Sequence, residues 1–244
     1  MTVPNAKLSL AMKGLRRSYR HIKRFALALR GQELWQGVQH RVSKVSLGNE
    51  GACWCVSPEG ISESSVVYSV GVGEDISFDL DLIQRYRLRV HAFDPTPRSI
   101  GWVQSQVLPE EFVFHSYGVA GFDGTCLFSP ASDPAYVSHT LLPRSTPWPA
   151  VELPVYRLAT IMKMLGNTAI DVLKMDIEGA EYEVLFDLLA SGIRPRQILV
   201  EFHHRWPELG VGRTRRAVRE LNQAGYWIFN VSGSGEEYSF KLSC

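Results

Sequence analysis

"VVYSVGVGEDISFDLDLI", residues 66–83, decides how the rest of the chain reads. Five strand-forming residues, Val66–Val70, break at Gly71-Val72-Gly73, and helical spacing follows over residues 76–86. A run without apolar/polar alternation is a strand buried on both faces, as in a parallel sheet with crossover helices. The unit recurs downstream. Arg89–Phe93 is the next strand, ending at Asp94-Pro95 with a short helix after Pro97, and residues 111–117 are a third. Beyond residue 154 come a helix at 157–165, a strand at 170–175, a helix at 180–190 stopped by Gly192, and a strand at 197–202. A helix at 214–224 stopped by Gly225 leads to the strand Tyr226–Val231. Glu237–Leu242, after the turn at 232–235, alternates as an antiparallel edge strand does. The pattern is a doubly wound α/β sheet, mostly parallel, with a C-terminal antiparallel hairpin.

Outside this frame lie two segments of different character. Residues 1–50 form an extension to the domain at 51–244. Up to Arg30 the chain carries eight Lys and Arg and no acidic residue, and Leu8, Met12, Leu15, Tyr19, Ile22, Ala26 and Leu29 recur at helical spacing. That is an amphipathic helix with a basic face. It is expected to pack on the domain or, through residues 7–30, to meet an anionic partner or a membrane surface peripherally. Residues 121–154, rich in Pro, Ser, Thr and aromatics, read as an irregular insertion over one sheet edge. With 45% hydrophobic and 21% charged residues the composition is that of a globular protein. No run approaches the roughly 18 apolar residues of a membrane span, so the expected location is cytoplasmic. Cys53, Cys55, Cys126 and Cys244 make no paired CxxC knuckles.

In open parallel sheets ligands bind beyond the carboxyl ends of the strands. After the first strand stand Gly71 and Gly73, which allow a tight turn and close approach of backbone to a ligand. The third glycine of a dinucleotide fingerprint is replaced by Ile76, and Glu74 and Asp75 would repel a pyrophosphate while tolerating a cation. Asp94, about twenty residues on, is placed to accept the hydroxyl protons of a nucleoside ribose. Asp176 and Glu178 follow the fourth strand, Glu201 and His203 the fifth, each pair two residues apart and projecting to one side if extended. Such a cluster suits proton removal from a hydroxyl nucleophile, or a divalent metal with Asp176, Glu178, Glu201 and His203 as candidates. On unperturbed pKa, about 6.5, His203 is the better base and Asp176 the better orienting group.

"VVYSVGVGEDISFDLDLI", "VHAFDPTPRSI", "VLKMDIEGAEYEVL" and "ILVEFHHRW", in this order and spacing, resemble the FkbM-type methyltransferases, a branch of the class I S-adenosylmethionine-dependent enzymes. The resemblance covers roughly residues 66–206 and is strongest over 176–181. It implies a seven-stranded Rossmann-like class I fold and O-methylation of a hydroxyl on a sugar, glycan or secondary metabolite. It also implies that Gly71 and Gly73 face S-adenosylmethionine, Asp94 its ribose, Val119 and Ala120 its adenine, and that Asp176 and Glu178 border the transfer site. Ser69 departs from the many members that carry an acid there, and Glu74 is the substitute for that contact to the methionine end. The acceptor is a small molecule or glycan. No nucleic-acid partner is expected, because there is no Asn-Pro-Pro-Tyr-type motif and the basic residues cluster outside the domain. Two alternatives stand beside this reading. One is a non-catalytic module binding a glycan or membrane through the basic helix and Tyr136, His139 and Trp148; the other is an NAD-dependent oxidoreductase.

Overall fold

The computed structural model describes residues 18–50, 52–128 and 151–243. A helix over residues 18–29 (α1) precedes a short antiparallel hairpin of β1 (Val45–Leu47) and β2 (Trp54–Val56). The alternating region then runs β3 (Val66–Val70), α2 (Ser77–Tyr86), β4 (Arg89–Phe93), α3 (Pro97–Gln104) and β5 (Phe112–His115). After β6 (Gly118–Val119), β7 (Gly124–Phe128) and β8 (Val151–Tyr156) come α4 (Leu158–Leu165), β9 (Val172–Met175), α5 (Glu181–Ala190) and β10 (Gln197–Glu201). The chain closes with α6 (Gly210–Gln223), β11 (Tyr226–Val231) and β12 (Glu237–Leu242).

Seven of these strands form the main sheet in the order β11-β12-β10-β9-β3-β4-β5. The β3, β4, β5, β9 and β10 pairings are parallel, and β12 runs antiparallel to both of its neighbours. Successive side chains of the central strands enter opposite cores, which is why the strands lack alternation in sequence. Tyr68, Val70, Leu173, Met175, Ile198 and Val200 pack with Ile161 of α4, Leu185 and Leu188 of α5 and Leu221 of α6. Val67, Val90, Ala92, Val172 and Leu199 pack on the other side with Phe78, Leu82 and Ile83 of α2 and Val103 of α3.

The sheet reverses between β3 and β9, where sequence neighbours leave in opposite directions, so the ends of those two strands frame the crevice where ligands bind. Part of the stretch expected to be irregular is ordered as a second sheet, β6-β8-β7, in which Gly124 pairs with Val155 and Phe128 with Val151. Residues 129–150, with Tyr136, His139 and Trp148, lie outside the described residues. So do residues 1–17, the first part of the basic helix read from sequence. The described part, α1, holds the body through Arg24, whose guanidinium pairs with buried Glu33, and leaves Tyr19, Ile22 and Leu29 exposed. No described helix is long and apolar enough to cross a membrane.

Candidate active site

The ends of β3, β4, β9 and β10 open onto one cleft of about 260 Å³. Its floor is the glycine turn. Gly71 takes φ +82°, and a Cβ built on it would stand 1.7 Å from the Asp176 carbonyl oxygen, so only glycine lets the ends of β3 and β9 approach this closely. Gly73, at φ +57°, has nothing within 4 Å of its Cβ position and serves the turn alone.

Asp94 holds that turn. One of its oxygens, Oδ2, accepts the amides of Val72 at 3.0 Å and Gly73 at 3.1 Å. The other, Oδ1, accepts the Thr96 amide at 2.9 Å and the Thr96 hydroxyl at 2.6 Å. Thr96 in turn caps α3, whose first turn begins with Pro97. A carboxylate offers about four lone-pair positions. The chain's own donors fill those of Asp94.

Beneath the turn, Lys174 donates to the Gly71 carbonyl at 2.6 Å and lies 5.5 Å from the Trp54 ring centroid. Ser69, its neighbour in the β3–β9 register, is fully buried beside Asp79 and lies below the cleft surface. Asp79 of α2 is also buried; burial pushes its pKa up, the Lys174 charge opposes this, and the result is about 6. At the rim, Glu74 forms a two-pronged contact with Arg98 at 2.9 and 3.1 Å, which holds its carboxyl below the usual range. Val119 lines a small side cavity with Phe93, Pro95 and Ile177, whereas Ala120 packs into the second sheet with Leu153 and Val155.

On the opposite wall the chain beyond β9 does not stay extended. Glu178 adopts φ +55° and Gly179 φ +104°, so a left-handed turn, not strand alternation, brings the Asp176 and Glu178 carboxylates together. The Glu181 carboxylate, fully buried in the first turn of α5, reaches back to accept the amides of Ile177 at 3.0 Å and Gly179 at 3.1 Å. The same carboxylate bonds Nδ1 of His203 at 3.0 Å. The other ring nitrogen of His203, Nε2, lies 3.5 Å from Glu178 and 3.8 Å from Asp176. Burial lowers the His203 pKa, but Glu181, then Asp176 and Glu178, more than offset it and raise it to about 10. The three neighbouring carboxylates thus favour the charged imidazole, which works against the base ranking drawn from unperturbed values. Glu201, facing Glu237 across the β10–β12 register, is pushed up by burial and by Asp176 and is held neutral.

Among the residues lining the cleft, eight are Asp or Glu and one is Lys. The sequence reading missed Trp54 and Asp79 as parts of the site, and it placed Glu181 beside the acidic cluster, and Lys174 at the strand end, without a role in the chemistry. Glu181 and Lys174 stood inside the quoted motif, and their charge next to an apolar strand was the available signal.

Counted from β3, the main sheet has the strand order 3-2-1-4-5-7-6 with the seventh strand antiparallel, and its crevice carries a glycine turn and an acidic strand end. That is the class I methyltransferase fold. The chain belongs to the FkbM methyltransferase domain family, whose model matches residues 30–228. It is 28% identical over 176 residues to probable methyltransferase-like protein 24 of Rattus norvegicus, and 27% identical over 175 residues to the Homo sapiens protein of that name. These matches cover 68% and 67% of this chain but 42% of each relative, so the chain spans less than half their length. Among solved structures it is similar to the methyltransferase FkbM from Methylobacillus flagellatus, with a TM-score of 0.48 and 15% identity over 74% of this chain and 44% of that one. Aeropyrum pernix fibrillarin, solved with natively bound S-adenosyl-L-methionine, gives a TM-score of 0.40 and 9% identity over 86% of this chain and 85% of that one.

Proposed function

We propose that the chain binds S-adenosylmethionine in this cleft and methylates a hydroxyl of a small molecule or glycan. The observation that carries the reading is the charge of the cleft. Even with Glu201 neutral and Glu74 paired to Arg98, the carboxyl residues at the switch point outnumber its one ammonium, which suits a ligand that is cationic and carries no phosphates. Bound there, S-adenosylmethionine supplies a methyl group on a sulfonium centre for in-line transfer to an oxygen.

The chain's own residues divide the remaining tasks. Gly71 and Gly73 form the side-chain-free turn that lets the donor approach, while Asp94 and Lys174 hold that turn from its two sides. Asp176 and Glu178, gathered with His203 on the wall opposite the glycine turn, face the acceptor and receive its hydroxyl. Much of the catalysis then comes from fixing two bound molecules in line.

Calorimetric titration should show saturable binding of S-adenosylmethionine and none of NAD. Incubation with a cell extract and isotopically labelled donor should yield a labelled hydroxyl-methylated product. Binding of NAD in place of the methyl donor would overturn the reading. Asp176→Asn is expected to keep donor affinity while turnover falls by about 10²–10⁴, the usual share of a positioned base.

A further inference from the structure

The wall opposite the glycine turn has the composition and spacing of a cation site. We propose that Asp176, Glu178 and His203 hold a first-row divalent cation of the Mn²⁺ to Zn²⁺ class, with Glu181 as the outer carboxylate that orients the imidazole.

The distances point to an ion between the groups. One ligand atom from each of the three residues lies within 4.8 Å of the others. From Nε2 of His203 the gaps are 3.5 Å to Glu178 and 3.8 Å to Asp176, beyond the usual 2.7–3.2 Å of an N–H···O bond. Ligands bound at about 2.0–2.2 Å around one ion stand roughly 3.0–3.5 Å apart, so modest closure seats a metal. The His203 side chain is only 8% exposed, and its Nε2 is aimed into the gap. The Asp176 Oδ1 atom is buried without a hydrogen-bond partner, a costly state for a carboxylate oxygen unless a cation meets it.

The surroundings match as well. Metal-bound histidines almost always give their second ring nitrogen to a carboxylate or carbonyl, and Glu181 takes Nδ1 of His203 at 3.0 Å. Glu181 also bonds the amides of Ile177 and Gly179, so it fixes the loop that presents Asp176 and Glu178 together with the ring. Three carboxylates around one imidazole favour positive charge in the gap. A proton on Nε2 supplies one unit, and a divalent ion in its place supplies two. One nitrogen and two oxygen donors select against Mg²⁺, which prefers oxygen ligands, and suit Mn²⁺ through Zn²⁺. Three protein ligands leave positions open. Resting on the methyl-transfer reading, one of these would take the acceptor's hydroxyl oxygen and orient it toward the donor.

The probes are Mn²⁺ followed by electron paramagnetic resonance and Zn²⁺ followed by calorimetry, both on the full chain without donor or acceptor. One saturable site is expected for each ion. Asp176→Asn and His203→Gln should each weaken it by at least tenfold, as should Glu178→Gln, whose half-buried side chain makes loss of folding a lesser concern. Glu181→Gln should weaken it by about 10–100-fold, the usual effect of removing an outer partner. Asp75→Asn, an acid of the same cleft outside the cluster, should leave affinity unchanged. Absence of saturable binding of both ions overturns the proposal. So does retention of wild-type affinity in Glu178→Gln and Asp176→Asn, or an equal loss in Asp75→Asn. Binding is read without turnover, so a metal-free protein that still transfers labelled methyl sinks the metal site alone. A metal-binding protein that transfers none sinks the methyl-transfer reading alone.

Discussion

Asp94 has both carboxylate oxygens occupied before any ligand arrives, and this changes what its removal should do. A residue that only received a ribose would be dispensable for folding. Asp94 instead satisfies the amides of Val72, Gly73 and Thr96, three donors of which the first and last are buried. Hydrogen bonds to an ionised group contribute about 1.5–3 kcal/mol each, although they are not additive. Asp94→Ala should therefore destabilise the ligand-free protein by about 2–4 kcal/mol, lowering Tm by about 5–15 °C, and should also abolish donor binding. Thermal unfolding without ligand tests it. An unchanged melting temperature with lost binding would return Asp94 to a role on the ligand alone. At this scale the sequence exposed which acids end strands, because position in an α/β sheet decides that. What each acid faces was not legible: Glu181 turning back beneath its own loop, and Glu178 in a left-handed conformation, depend on tertiary neighbours.

The glycine turn behaves as an element, and its two glycines should not be equivalent. Gly71 meets the Asp176 backbone, so an added methyl must push the ends of β3 and β9 apart. Gly73 faces open space, and there alanine bears only the left-handed backbone penalty of about 1–2 kcal/mol. Gly71→Ala is expected to lose donor binding and to lower stability well beyond Gly73→Ala, which should fold with a small loss. Parallel melting curves and donor titrations of the two variants decide the point, and equal effects would contradict the packing argument. The elements themselves were read well where burial is two-sided. The readings of β3, β4, β11 and β12 agree with the structure to the residue, and β9 and β10 to within two. The third strand was read too long: β5 stops at His115, and Gly118 and Val119 leave the main sheet to pair with β8. Missed were β1, β2 and β6, only two or three residues long, and β7 and β8, which fall largely within the stretch read as irregular and show no clear period of two. α6 begins at Gly210, four residues before its reading, because glycines at 210 and 212 hide a helix that Val211 anchors in the core.

Across the whole molecule, one buried carboxylate ties the chain's N-terminal part to the loop that carries His203. The Glu33 side chain is fully buried and pairs with Arg24 of α1, with His204 at 3.4 Å and with Arg205, which also pairs with Glu236. Gly235 packs so tightly against this cluster that a Cβ would stand 2.3 Å from Arg24 Nε. Removing one partner of a buried ionic group leaves the others uncompensated and costs about 3–5 kcal/mol. Glu33→Ala should therefore lower Tm by about 10 °C, although Glu33 lies far back along the chain from every residue of the site. The effect should depend on pH with a defined sign. Burial opposes ionisation of Glu33, but its pairing with His204 and Arg205 prevails and holds its pKa below the ordinary 4.5. Its contribution is then complete above 4.5 and is lost as pH falls through the lower folded value. The gap in unfolding free energy between wild type and Glu33→Ala should stay constant near neutrality and close on acidification below about pH 4.5. Chemical denaturation of both proteins over that range measures it, and a gap that widens in acid would mean that Glu33 is not held as an ion. Because Arg205 follows His203 by two residues, the same variant should also loosen the acceptor wall. A weaker Mn²⁺ or donor response in a still-folded Glu33→Ala protein would show that the anchor and the site are mechanically one.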